Sequence, residues 1–386
     1  MIFISLWLVN QHLVYGDEKI LFQITSGVKK IIFGMEKKPS IDDYIFVNIS
    51  YDNMFIPKYD KGFKVGNQPI TDRQKLAQFF ERLNKRPDSY KYIVCDILFK
   101  DTSEYDSLLY SKMKDLKNII IPYNMTDSGT ADIPIFNINK GLAEYHSIQY
   151  VFMKYSLTMN DTLKSLPIRM YEDLTGKQLN RKGIFSSLGD KPSFNTLFVD
   201  FKLRYNELLD RNPETGYILV NLGQLMRIKN DSVFYEYLNG KIIFIGDLYE
   251  KDIHQTLFGN MSGTLILFNV YLMLLNNEYI ISFGLILFLF IGYFAISFDL
   301  FSEIDLKERK YVAKISRSKL GKFIIKYLSF VIYLMIISVI TYFLFNLHIN
   351  ILLLAVYLKL VDSLLKYVRD KRNKKHFISD KERNEI

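Results

Sequence analysis

Six side chains have the types and positions that could do chemistry. Asp52 follows the apolar stretch IFVNIS, Asp96 lies inside YIVCDILF, and Asp247 directly follows IFIG. Each stretch reads as a strand, and open α/β sheets take ligands at the carboxyl ends of their strands. Three carboxylates could therefore approach one sheet edge, joined by Arg73, Asp106 and His254. Such an oxygen-rich edge suits a polar ligand or a hard divalent cation. The same residue types also suit a plainer role. Loop carboxylates cap turns and helix N-termini, Asp96 can hydrogen-bond a neighbouring loop, and His254 can be an exposed loop histidine. Both readings stay open on the sequence.

Signatures of enzymes are missing. There is no Walker A loop, no GxSxG, no HExxH and no Gly-rich dinucleotide loop. No catalytic residue, cofactor or metal site is assigned, and the expectation is that the chain is not an enzyme. An extracytoplasmic enzyme using Asp52, Asp96 and Asp247 is the less favoured alternative. The single Cys among 386 residues excludes an intramolecular disulfide framework and any multi-Cys zinc site. That residue, Cys95, lies in an apolar strand and reads as a buried thiol.

Around these residues, short apolar runs alternate with helical patterns. Strands are read at Tyr44–Ile49, Tyr92–Phe99, Asn118–Pro122, Thr196–Phe201 and Lys241–Gly246. The segment DRQKLAQFFERLN repeats apolar residues at Leu76, Phe79, Phe80 and Leu83, the spacing of an amphipathic helix, with Asp72 or Thr71 as its N-cap. Shorter helices are read at Tyr105–Lys114 and around Ser165–Leu174, and an apolar one at Ser262–Leu275. Strand–helix–strand order argues for an α/β domain, a mostly parallel sheet with flanking helices.

The formal charge is +9, from 50 basic and 41 acidic residues, which first suggests a nucleic-acid partner. Its distribution removes that reading. Residues 1–40 carry +2, residues 41–278 carry −1 and residues 279–386 carry +8. The excess lies beside the most apolar stretches, a pattern of membrane topology, not of a nucleic-acid groove.

Tyr279 to Phe298 is an uncharged run of twenty residues, roughly 30 Å as a helix and so of bilayer length. Tyr327 to Leu358 is a second uncharged run, with the polar NLHIN in its middle. Basic segments flank it on both sides, which argues for a hairpin with both flanks inside the cell, one tilted helix being the alternative. In the second helix of that hairpin, Lys359 and Asp362 form an i,i+3 pair that can neutralise itself. The expected plan is an N-terminal anchor at 1–16, complete or beginning upstream, and an extracytoplasmic domain at 17–278. Transmembrane α-helices follow at 279–298, 323–345 and 348–367, with a basic cytoplasmic loop at 299–322 and a basic tail at 368–386.

In this order the pieces resemble the CHASE2 domain, an extracytoplasmic sensory module of bacterial membrane receptors. IFVNIS with Asp52 resembles the opening strand, TDRQKLAQFFERL the helix that follows an Arg, and YIVCDILF before DTSEYDSLL the D-I-x-F strand. LNGKIIFIGDLYEKDIHQTLFGNMSGTLILFNVYLMLLNN resembles the closing strand, acidic loop and helix. The resemblance covers residues 1 to about 365. It departs where ITDR stands for a W-P-W-P-R-like segment, where MSG stands for P-G-V, and where no cytoplasmic output domain follows.

The resemblance implies a sensor of the inner membrane that detects an unknown extracytoplasmic ligand. It would signal to a separate cytoplasmic output protein. The expected partners are therefore the membrane, that ligand, that output protein and, as an open option, a second copy in a homodimer; nucleic acid is not among them. The alternative from another class is a structural or assembly subunit of an envelope complex.

Overall fold

The computed structural model describes residues 1–14, 16–33, 38–126, 130–144, 146–148, 151–210, 216–301 and 319–384. Two compact units emerge, one from Phe33–Ile280 and one from Met1–Ile32 with Ile281–Ile386.

The Phe33–Ile280 unit is α/β. Its principal elements are β1 (Tyr44–Asn48), β2 (Asn53–Asp60), β3 (Phe63–Thr71), α1 (Arg73–Asn84), β4 (Tyr90–Asp96), α2 (Asp106–Lys114) and β5 (Ile119–Met125). There follow β6 (Val151–Ser156), α3 (Leu166–Thr175), β7 (Thr196–Phe198), β8 (Ile218–Asn221), α4 (Leu222–Met226) and α5 (Asp231–Leu238). The unit closes with β9 (Lys241–Gly246), β10 (Ile253–Thr256), β11 (Gly259–Ser262) and α6 (Gly263–Leu275).

A central sheet has the order β8-β1-β9-β4-β5, and every one of these pairs is parallel. Its middle strands are buried on both faces, so they read as continuous apolar runs without alternation. Ile45, Val47, Ile93, Cys95, Ile243 and Ile245 pack with Leu76, Phe79 and Phe80 of α1, Leu109 of α2, Leu225 of α4 and Phe234 of α5. The opposite face carries Tyr44, Phe46 and Phe244, whose rings meet Phe268 of α6 at 4.8–5.1 Å between centroids. Asp72 caps α1 by accepting from the Lys75 N–H. Parallel pairing is confined mainly to this sheet. A second sheet, β7-β6-β10-β11, is mostly antiparallel, and among the described residues β2 and β3 form an antiparallel hairpin paired only with each other.

The transmembrane part of the expected fold is overturned: among the described residues no helix is long and apolar enough to cross a membrane. The run that begins at Tyr279 is divided between the two units. Tyr279 is fully buried in the α/β unit, where its carbonyl accepts from the Phe194 N–H at 2.7 Å, and Ile280 forms a bridge with Ser193. The next helix, Phe283–Phe301, therefore starts four residues late. The run from Tyr327 is broken by Asn346, which has a φ of 56°, between helices Lys319–Phe345 and Ile351–Asn384. The latter carries Lys359, Asp362 and Lys366, with both lysines paired to Asp362. At the N-terminus the helix Ile2–Val9 has eight residues, about 12 Å. The apolar helix read at Ser262–Leu275, α6, is buried from Gly263 to Leu274 inside the α/β unit.

The helical unit is tied by polar contacts of its own. Asp17 accepts from the Ile351 and Leu352 N–H groups at 3.0 Å, capping helix Ile351–Asn384. Thr25 hydrogen-bonds His348 at 2.8 Å, and Lys29 donates to Asn346. Most of the expected basic loop, residues 302–318, lies outside the described residues.

Candidate functional site

The parallel register brings the carboxyl ends of four strands into one row: Asn221, Asn48, Gly246 and Asp96 are successive partners. The six sequence-selected residues distribute around this edge into separate groups, each occupied by the protein's own donors.

Asp52 follows β1 and is buried. Its carboxylate accepts from Lys75 Nζ at 2.5 Å and from the Gly223 N–H at 3.3 Å, tying the edge to α1 and to α4. Asp247 follows β9. It accepts from Ser50 Oγ at 2.6 Å and from the Glu250 and Tyr249 N–H groups at 2.8 and 3.1 Å. Burial pushes its pKa up, but these hydrogen bonds outweigh burial and hold it below the ordinary carboxylate value. Asn48 completes this knot, donating to Asn221 at 2.8 Å and accepting from Ser50 and the Leu248 N–H.

Arg73 and Asp106 form a second group. Arg73 is 2% exposed; it donates to Asp106 at 2.8 Å and to the Asp101 carbonyl at 2.9 Å. Its guanidinium lies 4.8 Å from the centre of the Phe99 ring and 5.7 Å from that of Phe136. Burial draws its pKa down, while Asp106 and Asp101 pull the other way. Asp106 also accepts from the Ser103 N–H and hydroxyl. This is a loop-and-helix anchor.

Asp96 ends β4 and stands apart from both groups. Thr264 Oγ1, in the first turn of α6, donates to it at 2.8 Å. Gly246 is required beside them, since a Cβ there would lie 2.0 Å from Thr264 Oγ1. Asp252 holds the same helix end by accepting from the Gly263 N–H through its carbonyl, and its carboxylate pairs with His254 at 2.9 Å. Burial raises the Asp96 pKa to about 7. The Asp252 charge adds to that rise, while Thr264 and His254 oppose it.

A family model described as the CHASE2 domain matches residues 34–297. The chain belongs to the CHASE2 family. No curated protein and no solved structure matches it. CHASE2 domains are sensory domains of the extracellular type, and the match spans the whole central sheet, the knot at its carboxyl edge and α6.

Within this CHASE2 domain, Asp52, Asp96 and Asp247 share the sheet edge but form no common cage. Among the described residues no group of three or more His, Cys, Asp or Glu side chains is placed to hold a metal ion. Two surface clefts, of about 520 and 630 Å³, lie elsewhere, beside Tyr92, Asn118 and Asp173 and beside Arg86 and Tyr235. Neither touches any of the six residues. Sequence reasoning missed Asn48, Ser50, Thr264 and Asp252. Thr264 carried a signal in the Ser-Gly-Thr start of an apolar helix, whereas Asn48 and Ser50 are ordinary strand-end residues until the register is known.

Proposed function

We propose that the α/β unit is an extracytoplasmic sensory domain that detects an envelope signal at the carboxyl edge of its central sheet. The response is relayed to a separate cytoplasmic protein, and the chain resides at the inner membrane without acting as an enzyme. The observation that carries this reading is Asp96. Its proton is held near neutrality, its carboxylate is bonded to the first turn of α6, and it lacks the full set of donors that occupies Asp52 and Asp247. A cationic or polar solute docking at this edge would change the charge on Asp96 and the tension on α6. Phe290, Ile291 and Phe294 are exposed on the helical unit, which supports apolar surroundings for it at the membrane.

A thermal-shift panel of cationic and polar solutes on the full chain tests the proposal. At least one should raise the unfolding temperature of the wild type and not of Asp96→Asn. A panel that moves both proteins equally, or neither, would count against a sensor at this edge. Affinity capture on the full chain should then recover a cytoplasmic signalling protein; recovery of envelope-assembly proteins alone would favour a static subunit.

A further inference from the structure

The β2–β3 hairpin packs little of itself away. It leaves the carboxyl edge of β1, anchored by the Asp72 N–H donating to the Asp52 carbonyl at 2.8 Å and by Lys251 donating to Asn53 at 2.7 Å. Ile56 near its base is buried, but every residue from Pro57 to Asn67 is exposed. At about 3.4 Å per residue the exposed arm projects roughly 15 Å. Its tip carries Tyr59, Phe63 and Val65, with Phe63 at 77% exposure. An isolated two-stranded hairpin is marginal in water, and large exposed aromatics on it mark a contact surface.

Two further observations identify what that surface meets. First, strand addition is blocked on both sides. Phe55 pairs with Pro69, and Pro57 with Asn67, two residues along. Both prolines therefore occupy the class of pair whose N–H groups would point outward, and each free edge has lost a donor there. A second copy of the hairpin, or any added strand, meets a defective edge. Second, the exposed arm carries Lys58, Lys61 and Lys64 against Asp60 alone, a net +2 in a region, residues 41–278, that totals −1. None of the three lysines has a carboxylate partner among the described residues. Lys61 even occupies a positive-φ turn position (φ 47°, followed by Gly62 at 87°), where Asn, Asp or Gly costs less.

We propose that this tip docks on an anionic lipid surface, with Tyr59, Phe63 and Val65 at the headgroup level and the lysines against the lipid charge. The contact is peripheral and uses neither Asp96 nor Thr264.

The test uses the full chain with its single tryptophan removed, Trp7→Phe, and a reporter placed at the tip, Phe63→Trp, with Tyr59→Trp as a second reporter. On phosphatidylglycerol-containing vesicles the reporter emission should shift to the blue, and high salt should reverse the shift. Lys58→Glu, Lys61→Glu and Lys64→Glu together should lower the partition at least about tenfold. Three results would overturn the proposal. One is vesicle-bound protein whose two reporters stay solvent-like. Another is an equal, salt-independent shift on pure phosphatidylcholine. The third is a blue shift without lipid that grows with protein concentration, which would assign the tip to a second copy of the chain.

Discussion

Arg73 shows how much of the apparent chemistry is structural support. The guanidinium is enclosed between Asp106, the Asp101 carbonyl and the faces of Phe99 and Phe136. Arg73→Ala should cost about 3–5 kcal/mol by stranding Asp106. Arg73→Lys should lose less, about 1–2 kcal/mol, because it keeps the charge but neither the fork nor the ring stacking; denaturant melts of the full chain measure both. Asp96 behaves differently because its titration falls near neutral pH. Its ordinary value is 3.8 and its folded value about 7. Between them the folded chain holds a proton that the unfolded chain has released, so stability falls as pH rises through this window and levels off above 7. Asp96→Asn removes that fall. The two proteins should differ little at pH 4, and the variant should be ahead by ~2 kcal/mol at pH 8, a figure reduced for the carboxylate's partial exposure. A wild-type stability flat from pH 5 to 8 would contradict the buried-proton account. Asp52, Asp96 and Asp247 were all legible as strand-end acids, yet nothing in the sequence separates the saturated pair from Asp96. That depends on which N–H groups the folded loops turn inward.

At the scale of elements, the end of β9 and the start of α6 approach so closely that only glycine fits. Gly246→Ala would set its methyl against Thr264 Oγ1, and turning Thr264 away breaks its bond to Asp96. The single change should cost about 1–3 kcal/mol. In a Thr264→Ala background the added cost of Gly246→Ala should largely vanish, a non-additivity that a double-mutant cycle reads directly. The β2–β3 arm is the opposite case. Ile56 and Gln68 are register partners, so replacing residues 57–67 by Asn-Gly leaves a closed hairpin. Because that arm is exposed throughout, calorimetric unfolding should change by less than about 0.5 kcal/mol. The contrast explains what the sequence discloses. The buried strands and the amphipathic α1 announce themselves through apolar pattern, with Leu76, Phe79, Phe80 and Leu83 all buried. The hairpin was invisible because a protruding arm has neither a burial period nor a core to face.

For the whole molecule, hydropathy failed because it measures apolarity and not destination. α6, which charge and hydropathy already leave inside the 17–278 domain, is as apolar as a membrane segment and is buried against the central sheet, with Asn269 bonded to both backbone groups of Leu203. Tyr279 opens the next uncharged run, of twenty residues, and belongs to the same interior. The core of the α/β unit is drawn from Ile45 to Ile245 within that unit, so it should fold without the helical unit. A fragment of residues 38–280 should unfold in one cooperative transition with fixed near-UV signals. A fragment ending at 278, the boundary that charge and hydropathy suggest, loses Tyr279 and Ile280, and with them the carbonyl that accepts from Phe194. Removing a fully buried aromatic costs about 3–5 kcal/mol, so the shorter fragment should melt far lower or fail to fold. Equal melting of the two fragments would show that Tyr279 is dispensable to this core, and would return it to the helix that begins at Phe283.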